Sequence, residues 1–172
     1  MKIVKDHCTA FKRYGEARSA KLDSIQVHSI GAAQNSAKAI RDSMNQYNPD
    51  GIVHAVVDAG TEGLALELLP DNNVAWADAG YGTQHSYTFE IAESDSMRYE
   101  NGSAAYQITD EEKFLEDINR GYRNAVEFAA AKCGQFGISP MTKLSNGLYA
   151  LYSHDEGRLA GVSSAHVDPA HV

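Results

Sequence analysis

The alternation of apolar and polar side chains marks the first clear element of the chain. Residues 24–30, SIQVHSI, alternate in this way, which predicts a strand with Val27 on one face and His28 on the other. The next segment carries Ala37, Ile40 and Met44 at helical spacing and predicts an amphipathic helix. The sequence NPDG at 48–51 is a strong turn signal after this helix.

Two further apolar segments predict a β-hairpin. The segments IVHAVVD (52–58) and LALELL (64–69) are strand-like, and AGTEG lies between them. The segment YTFEIAE (87–93) predicts another strand, with Phe89 on one face and Glu90 on the other. At least one strand pair in the sheet is therefore expected to be antiparallel.

The longest predicted element is a helix from about Asp110 to Cys133. Thr109 and Glu112 match a capping box. Apolar side chains recur along one face of this helix at Leu115, Ile118, Tyr122, Ala125, Ala129 and Cys133. A short buried strand is predicted at 147–152, and residues 1–24 are predicted to be an irregular lead-in. This order indicates an α/β fold of the α+β type: one domain, 1–172, with a central mixed β-sheet flanked by helices.

Composition restricts the possible functions. The chain has 172 residues, of which 43% are hydrophobic and 22% charged, as in ordinary globular domains. Its net charge is −8 and no cluster of Lys and Arg offsets it, so we expect no nucleic-acid partner. No apolar run has the length of a signal peptide or a transmembrane helix, so we expect cytoplasmic synthesis and no membrane insertion. Cys8 and Cys133 are expected to be unpaired thiols.

Three metal-binding side chains lie beside predicted strand ends or a rigid loop. His28 lies near the end of the first strand, His154 follows the apolar strand LYALY, and Asp168 precedes Pro169. Two imidazoles and one carboxylate match the ligands of a catalytic zinc ion, which keeps a fourth position for water. A single histidine in such a place is more often a core or capping residue, so spacing alone leaves the zinc site open.

Two other side chains are candidates for the chemistry. Glu90 is either a solvated side chain on an edge strand or a partly buried carboxylate with a raised pKa that can transfer a proton. His166 lies two residues before Asp168, and residues i and i+2 of an extended segment project to the same side. If Asp168 points at a metal, His166 therefore points into the same cavity. Structural roles are expected for the remaining histidines, His7, His54, His85 and His171.

Several segments together resemble the zinc N-acetylmuramoyl-L-alanine amidases, the family that includes phage endolysins of the amidase type and peptidoglycan recognition proteins. In the family's order they are VHSIGAAQ (27–34), VHAVVDAGTEGLALELLPD (53–71), AWADAGYG (75–82), YTFEIAES (87–94) and YSHDEGRLAGVSSAHVDPAHV (152–172). The last is the most specific, because amidases from Gram-positive bacteria and their phages have S-H-x-E-G, a small-residue loop and H-x-D-P-x-H there. The resemblance covers nearly the whole chain from Ile25 onward.

The resemblance implies an amidase-like fold, one Zn²⁺ ion, and a set of site residues. Its three zinc ligands correspond to His28, His154 and Asp168, and the glutamate that handles protons corresponds to Glu90. Many members have a lysine two positions before the third ligand, where it stabilises the developing oxyanion. Here that position is His166, which can donate a hydrogen bond without a permanent charge.

One segment departs from the family's pattern. Relatives have Trp-His followed by Ala-Gly or Cys-Gly where this chain has AWADAG at 75–80. The missing histidine is not a metal ligand in the family, so the difference concerns substrate contacts at the rim. Trp76 and Tyr81 are expected to hold sugar or peptide there, with a packed core role equally open for Trp76.

The implied activity is hydrolysis of the amide bond between N-acetylmuramic acid and L-alanine in peptidoglycan, by a phage or prophage endolysin. Two alternatives stay open: a peptidoglycan-binding module without activity, and a zinc peptidase that cuts within the stem peptide. We expect a monomer that reaches the wall through a holin-type membrane lesion or host lysis. We also expect a longer parent protein with a C-terminal wall-binding module.

Overall fold

A six-stranded mixed sheet forms the centre of the computed structural model, which describes residues 1–47, 50–100 and 103–172. Across the sheet the strands are β1 (Lys2–Lys5), β4 (Leu64–Glu67), β3 (Ala55–Val57), β5 (Ser86–Ile91), β2 (Ser24–Ser29) and β8 (Leu151–Ser153). A separate antiparallel pair joins β6 (Met97–Tyr99) to β7 (Tyr106–Ile108). The helices are α1 (Ala37–Tyr47), α2 (Tyr81–His85), α3 (Glu111–Phe136) and α4 (His154–Leu159). The predicted fold class is confirmed.

Most neighbouring strands of the central sheet run parallel to each other. β2 runs parallel to both β5 and β8, and β3 runs parallel to β5, whereas β3 and β4 form the predicted antiparallel hairpin. The lead-in predicted as irregular contains a strand, because β1 pairs in parallel with β4 at the edge of the sheet. The turn predicted at 48–51 includes residues 48 and 49, which lie outside the described residues.

The two faces of the sheet carry different apolar clusters. On one face, side chains such as Ile25 and Phe89 pack against Phe128 of α3. The other face includes Val56, which packs in a cluster with Ile40 of α1. Because side chains alternate along a strand, His28 and Glu90 project from the α1 face.

Helix α3 begins and packs differently from the sequence prediction. The side chain of Asp110, not Thr109, accepts the Lys113 N–H and caps the helix. Leu115, predicted on the buried stripe, is 51% exposed, and Phe114 is buried instead. The buried face also contains polar side chains that have partners, among them Asn124, which donates to carbonyl groups in the β3–β4 loop. The buried face of α3 therefore includes polar positions as well as apolar ones and differs from the predicted apolar stripe.

Two further sequence expectations can be compared with the fold. Cys8 and Cys133 are free, buried thiols. Within the described ranges, we find no helix with the length and apolar character needed to cross a membrane.

Candidate metal centre

Parallel strands bring three of the predicted site residues to one end of the sheet. In the register of β2 and β5, His28 lies directly beside Glu90, so the two side chains leave the same face. His154 follows β8, the other neighbour of β2, in which Ser153 pairs with Val27. The carboxyl ends of parallel strands meet at one edge of a sheet, which is where ligands bind in open α/β folds.

A capping box fixes the turn that presents His154. The Ser153 hydroxyl accepts the Glu156 N–H, and the Glu156 carboxylate accepts the Ser153 N–H at 2.7 Å. This reciprocal pair starts α4 immediately after β8, so His154 becomes the first helical residue. Its imidazole is therefore held by the junction of two elements.

Asp168 reaches the same place from an irregular segment that follows α4. Its backbone carbonyl accepts the Asp155 N–H at 3.1 Å, which ties the segment to the start of α4. Its Oδ2 lies 3.4 Å from the Ser29 N–H at the end of β2. These contacts join the segment to the start of α4 and to the end of β2, and Asp168 is buried between them.

The three side chains form a compact cluster of possible metal ligands. The Nδ1 atoms of His28 and His154 are 3.0 Å apart. Oδ2 of Asp168 lies 3.1 Å from the first of these nitrogens, and Oδ1 lies 3.4 Å from the second. All three residues are buried, and one ligand atom from each lies within 4.8 Å of the others. Two imidazoles and a carboxylate at this spacing fit the donor set of a catalytic zinc ion.

Electrostatics favours a neutral His154 and an ionised Asp168. Burial, reinforced by the charge of His28, lowers the pKa of His154, so this imidazole is neutral at pH 7. Burial opposes ionisation of Asp168, but its hydrogen bond with His28 and the charge of that ring lower its pKa overall. A neutral imidazole beside an ionised carboxylate is the state that metal binding requires.

Ser164 supports the cluster from outside, and the sequence prediction missed it. Its hydroxyl lies 3.0 Å from Nε2 of His154. A proton on Nε2 that donates to this hydroxyl leaves the lone pair on Nδ1 free for a metal, an arrangement common around zinc histidines. Only its position in a loop of small residues distinguishes Ser164 in the sequence, and such a loop points to no hydrogen-bond partner.

Glu90 has the environment of a group that transfers protons near neutral pH. It is partly buried, and its Oε2 has no hydrogen-bond partner among the described residues. Burial raises its pKa to about 7, with His28 opposing this shift and Asp168 adding to it. The structure thus favours the partly buried carboxylate over the solvated edge-strand alternative.

His166 lies beside the cluster but is open to solvent. Its side chain is 71% exposed, and its Nδ1 lies 3.9 Å from Oδ1 of Asp168. Its ring centroid is 5.1 Å from that of His154. His166 can therefore reach a molecule bound next to the cluster without itself being enclosed.

A polar groove of about 710 Å³ opens beside these residues. One wall is the segment that carries His166 and Asp168, and the other combines Gly31 with Tyr99 and Glu100. A second groove, of about 520 Å³, lies between α3 and the opposite face of the sheet. Its lining is almost wholly apolar, and it lacks the carboxylate and imidazole groups of the first. The polar groove, and not the apolar one, therefore adjoins the cluster.

Trp76 and Tyr81 have other partners in the structure. The Arg13 guanidinium stacks over the Trp76 ring at 3.8 Å, and Trp76 packs against the apolar cluster on the α1 face. The Tyr81 hydroxyl donates to Asp23 at 2.6 Å, at the end of β2 remote from His28. Neither residue lines the polar groove. Their role in holding substrate stays a prediction.

The fold was compared with solved structures. The Staphylococcus aureus hydrolase AmiA superposes with a TM-score of 0.69 at 20% identity, covering 98% of this chain and 73% of that chain. A mutant endolysin from Bacillus subtilis gives a TM-score of 0.62 at 18% identity, over 91% of this chain and 85% of its own. The N-acetylmuramoyl-L-alanine amidase LysC from Clostridium intestinale gives 0.52 at 12%, over 91% and 84%. The chain has the fold of these amidase and endolysin domains.

Sequence comparison adds nothing to this likeness. No family model matches the chain. No curated protein matches it either. The likeness to amidases is therefore a likeness of fold. At sequence identities of 20% or less, a fold does not determine function, which depends on the residues of the site.

Proposed function

We propose that this chain is a zinc-dependent N-acetylmuramoyl-L-alanine amidase that cleaves peptidoglycan between N-acetylmuramic acid and L-alanine, as a phage or prophage endolysin does. The observation that carries the proposal is the buried cluster of His28, His154 and Asp168, with Glu90 beside it, in an amidase fold. In this proposal the three residues of the cluster hold the zinc ion. When bound, zinc supplies Lewis-acid polarisation of the scissile carbonyl and lowers the pKa of water.

Glu90 moves the proton in this proposal. It accepts a proton from the water that attacks the lactyl carbonyl carbon, then delivers a proton to the nitrogen of L-alanine as the C–N bond breaks. The raised pKa suits both halves of the task, because the carboxyl group can exist in either form near neutral pH. A cation in the cluster would lower that pKa and favour the accepting form.

His166 and the groove act on the substrate. The exposed imidazole donates a hydrogen bond to the oxygen that becomes negative as the tetrahedral intermediate forms. The polar groove is open at its surface and large enough for sugar and peptide atoms on either side of the scissile bond. The products are the glycan strand and a free stem peptide with an N-terminal L-alanine.

Mass spectrometry of digested peptidoglycan tests the proposal. The zinc-loaded protein should release stem peptides that begin with L-alanine, and a chelator should abolish the release. The matched variant Glu90→Gln keeps all three metal-binding groups, so it should retain zinc while releasing stems at least about 100-fold more slowly.

Other products would identify the alternatives. New D-amino termini would mean a stem-peptide peptidase, and tight binding without new ends would mean a binding module. Full lytic activity after removal of the metal would exclude the zinc mechanism altogether.

A further inference from the structure

Glu93 is a buried carboxylate that the proposed reaction does not use. Only 1% of it is exposed, and it lies two residues after β5. Its Oε1 accepts the Gly31 N–H at 2.9 Å, and its own backbone N–H donates to the Gln34 carbonyl at 3.0 Å. Glu93 therefore fixes the segment that directly follows β2 and its residue His28.

The other oxygen of Glu93 reaches the segment that carries Asp168. The Tyr99 hydroxyl donates to Oε2 of Glu93, and Nε2 of His171 lies 2.8 Å from the same hydroxyl. Since that hydroxyl gives its proton to the carboxylate, it accepts the Nε2–H of His171. The side chain of His171 is only 10% exposed, although residues 165–167 before it are exposed.

The contacts of Glu93, Tyr99 and His171 form one continuous connection, here called the brace. At one end it holds Gly31, three residues after His28, and at the other it holds His171, three residues after Asp168. Beyond Asp168, the side chain of His171 is largely enclosed, so it gives the segment a second point of attachment three residues after the ligand.

We propose that Glu93, Tyr99 and His171 are positioning residues that hold Asp168 against His28 so that the metal centre keeps its spacing. The inference rests on the proposed metal site. Asp168 lies on an irregular segment. Before Asp168 this segment is held by Ser163 and Ser164, which bond to Asp78, and at Asp168 by contacts with Asp155 and Ser29; the brace adds a contact on the C-terminal side of the ligand. Loss of supporting hydrogen bonds around metal ligands typically costs 10- to 100-fold in metal affinity.

The variant Tyr99→Phe tests the brace with the smallest change. It removes the hydroxyl that hydrogen-bonds to both His171 and Glu93, leaves their direct approach at 3.6 Å, and keeps the aromatic ring that packs against Tyr106. The zinc dissociation constant, measured by competition with a chromophoric chelator, should rise at least about tenfold. Tyr106→Phe is the matched control: it removes a hydroxyl from the partner strand of the same hairpin, outside the brace, and should leave zinc affinity unchanged.

A second variant and a spectroscopic readout separate positioning from general stability. His171→Gln, which keeps a side-chain donor, should weaken zinc less than His171→Ala. The visible spectrum of the cobalt-loaded protein should change in Tyr99→Phe but not in Tyr106→Phe, because it reports ligand geometry. Unchanged affinity and an unchanged spectrum in Tyr99→Phe would overturn the brace. Failure of the unaltered protein to bind zinc would instead overturn the proposed function.

Discussion

Glu90 is held where its charge is disfavoured, and the cost should be measurable as a pH dependence of stability. Its pKa rises from 4.5 to about 7 on folding, chiefly because the carboxyl group is buried. Between these values the folded protein holds a proton that the unfolded chain has lost. The stability that this proton provides is present below pH 4.5 and is lost as the pH rises toward 7.

We therefore predict that Glu90→Gln stabilises the metal-free protein increasingly as the pH rises. The difference in the free energy of unfolding should be small at pH 4.5 and approach about 3 kcal/mol above pH 7, from the size of the shift. Urea denaturation in the presence of a chelator, repeated across this pH range, measures it. A difference that stays flat would mean that the folded state does not raise the Glu90 pKa.

The adjacent pair His166 and Asp168 should separate into two phenotypes. Asp168→Ala removes a buried carboxylate that is proposed as a ligand and should abolish zinc binding, as measured by metal analysis after dialysis. His166→Ala removes an exposed donor and should retain zinc while kcat falls roughly 10²- to 10³-fold, the cost of one oxyanion donor. Loss of zinc in His166→Ala with retention in Asp168→Ala would exchange the two assignments.

At the level of elements, the close approach of α3 to the sheet depends on Gly121. A Cβ atom there would lie 3.2 Å from the Ile91 side chain and 3.3 Å from the Ala59 side chain, so a branched side chain would force these neighbours to shift. Gly121→Val should lower the free energy of unfolding by about 1–3 kcal/mol through overpacking.

Gly134 is the matched control in the same helix. It is exposed, and a Cβ atom there would contact nothing within 4 Å. Gly134→Val should change stability by no more than about 0.5 kcal/mol, because valine favours the helix only slightly more than glycine does. Equal effects of the two substitutions in urea denaturation would mean that helix propensity, not packing, controls position 121.

The elements predicted well from the sequence are central strands, in which apolar and strand-forming residues are concentrated. β2, the β3–β4 hairpin and β5 have such patterns, and each appears near its predicted position. β1 was missed because KIVK is a short edge strand whose structure depends on pairing with β4, a contact distant in sequence. The buried face of α3 was misplaced because Asn124 and Lys132 are buried with polar partners, which an apolar count treats as exposed.

The residues of the candidate site could be predicted from the sequence, but the contacts that support them could not. Residue types and family resemblance suggested His28, His154 and Asp168, and the topology explains why they converge, since β2 lies between β5 and β8. Ser164 and the brace could not be predicted, because each depends on hydrogen bonds between segments with no pattern of their own. A structural role was expected for His171. Its contacts with Tyr99 and Glu93 are consistent with that role, and we propose that they position Asp168.

Over the whole molecule, the candidate metal centre joins segments far apart in the sequence, so zinc bound there should stabilise the fold as a unit. His28 precedes Asp168 by 140 positions, yet the two side chains are 3.1 Å apart. A ligand that binds only the folded state stabilises it by about 2.7 kcal/mol at 100 times its dissociation constant. For a chain of this size that corresponds to a rise in Tm of roughly 5–10 °C.

Thermal unfolding with increasing zinc measures this coupling, and three comparisons make it specific to the centre. Asp168→Asn should abolish the rise in Tm, whereas His166→Ala should keep it, because only the first residue is a proposed ligand. Magnesium should produce little change, since it prefers a full shell of oxygen ligands over imidazole nitrogens. An equal rise in Asp168→Asn would place the stabilising zinc elsewhere on this acidic chain and would remove the link between the cluster and the fold.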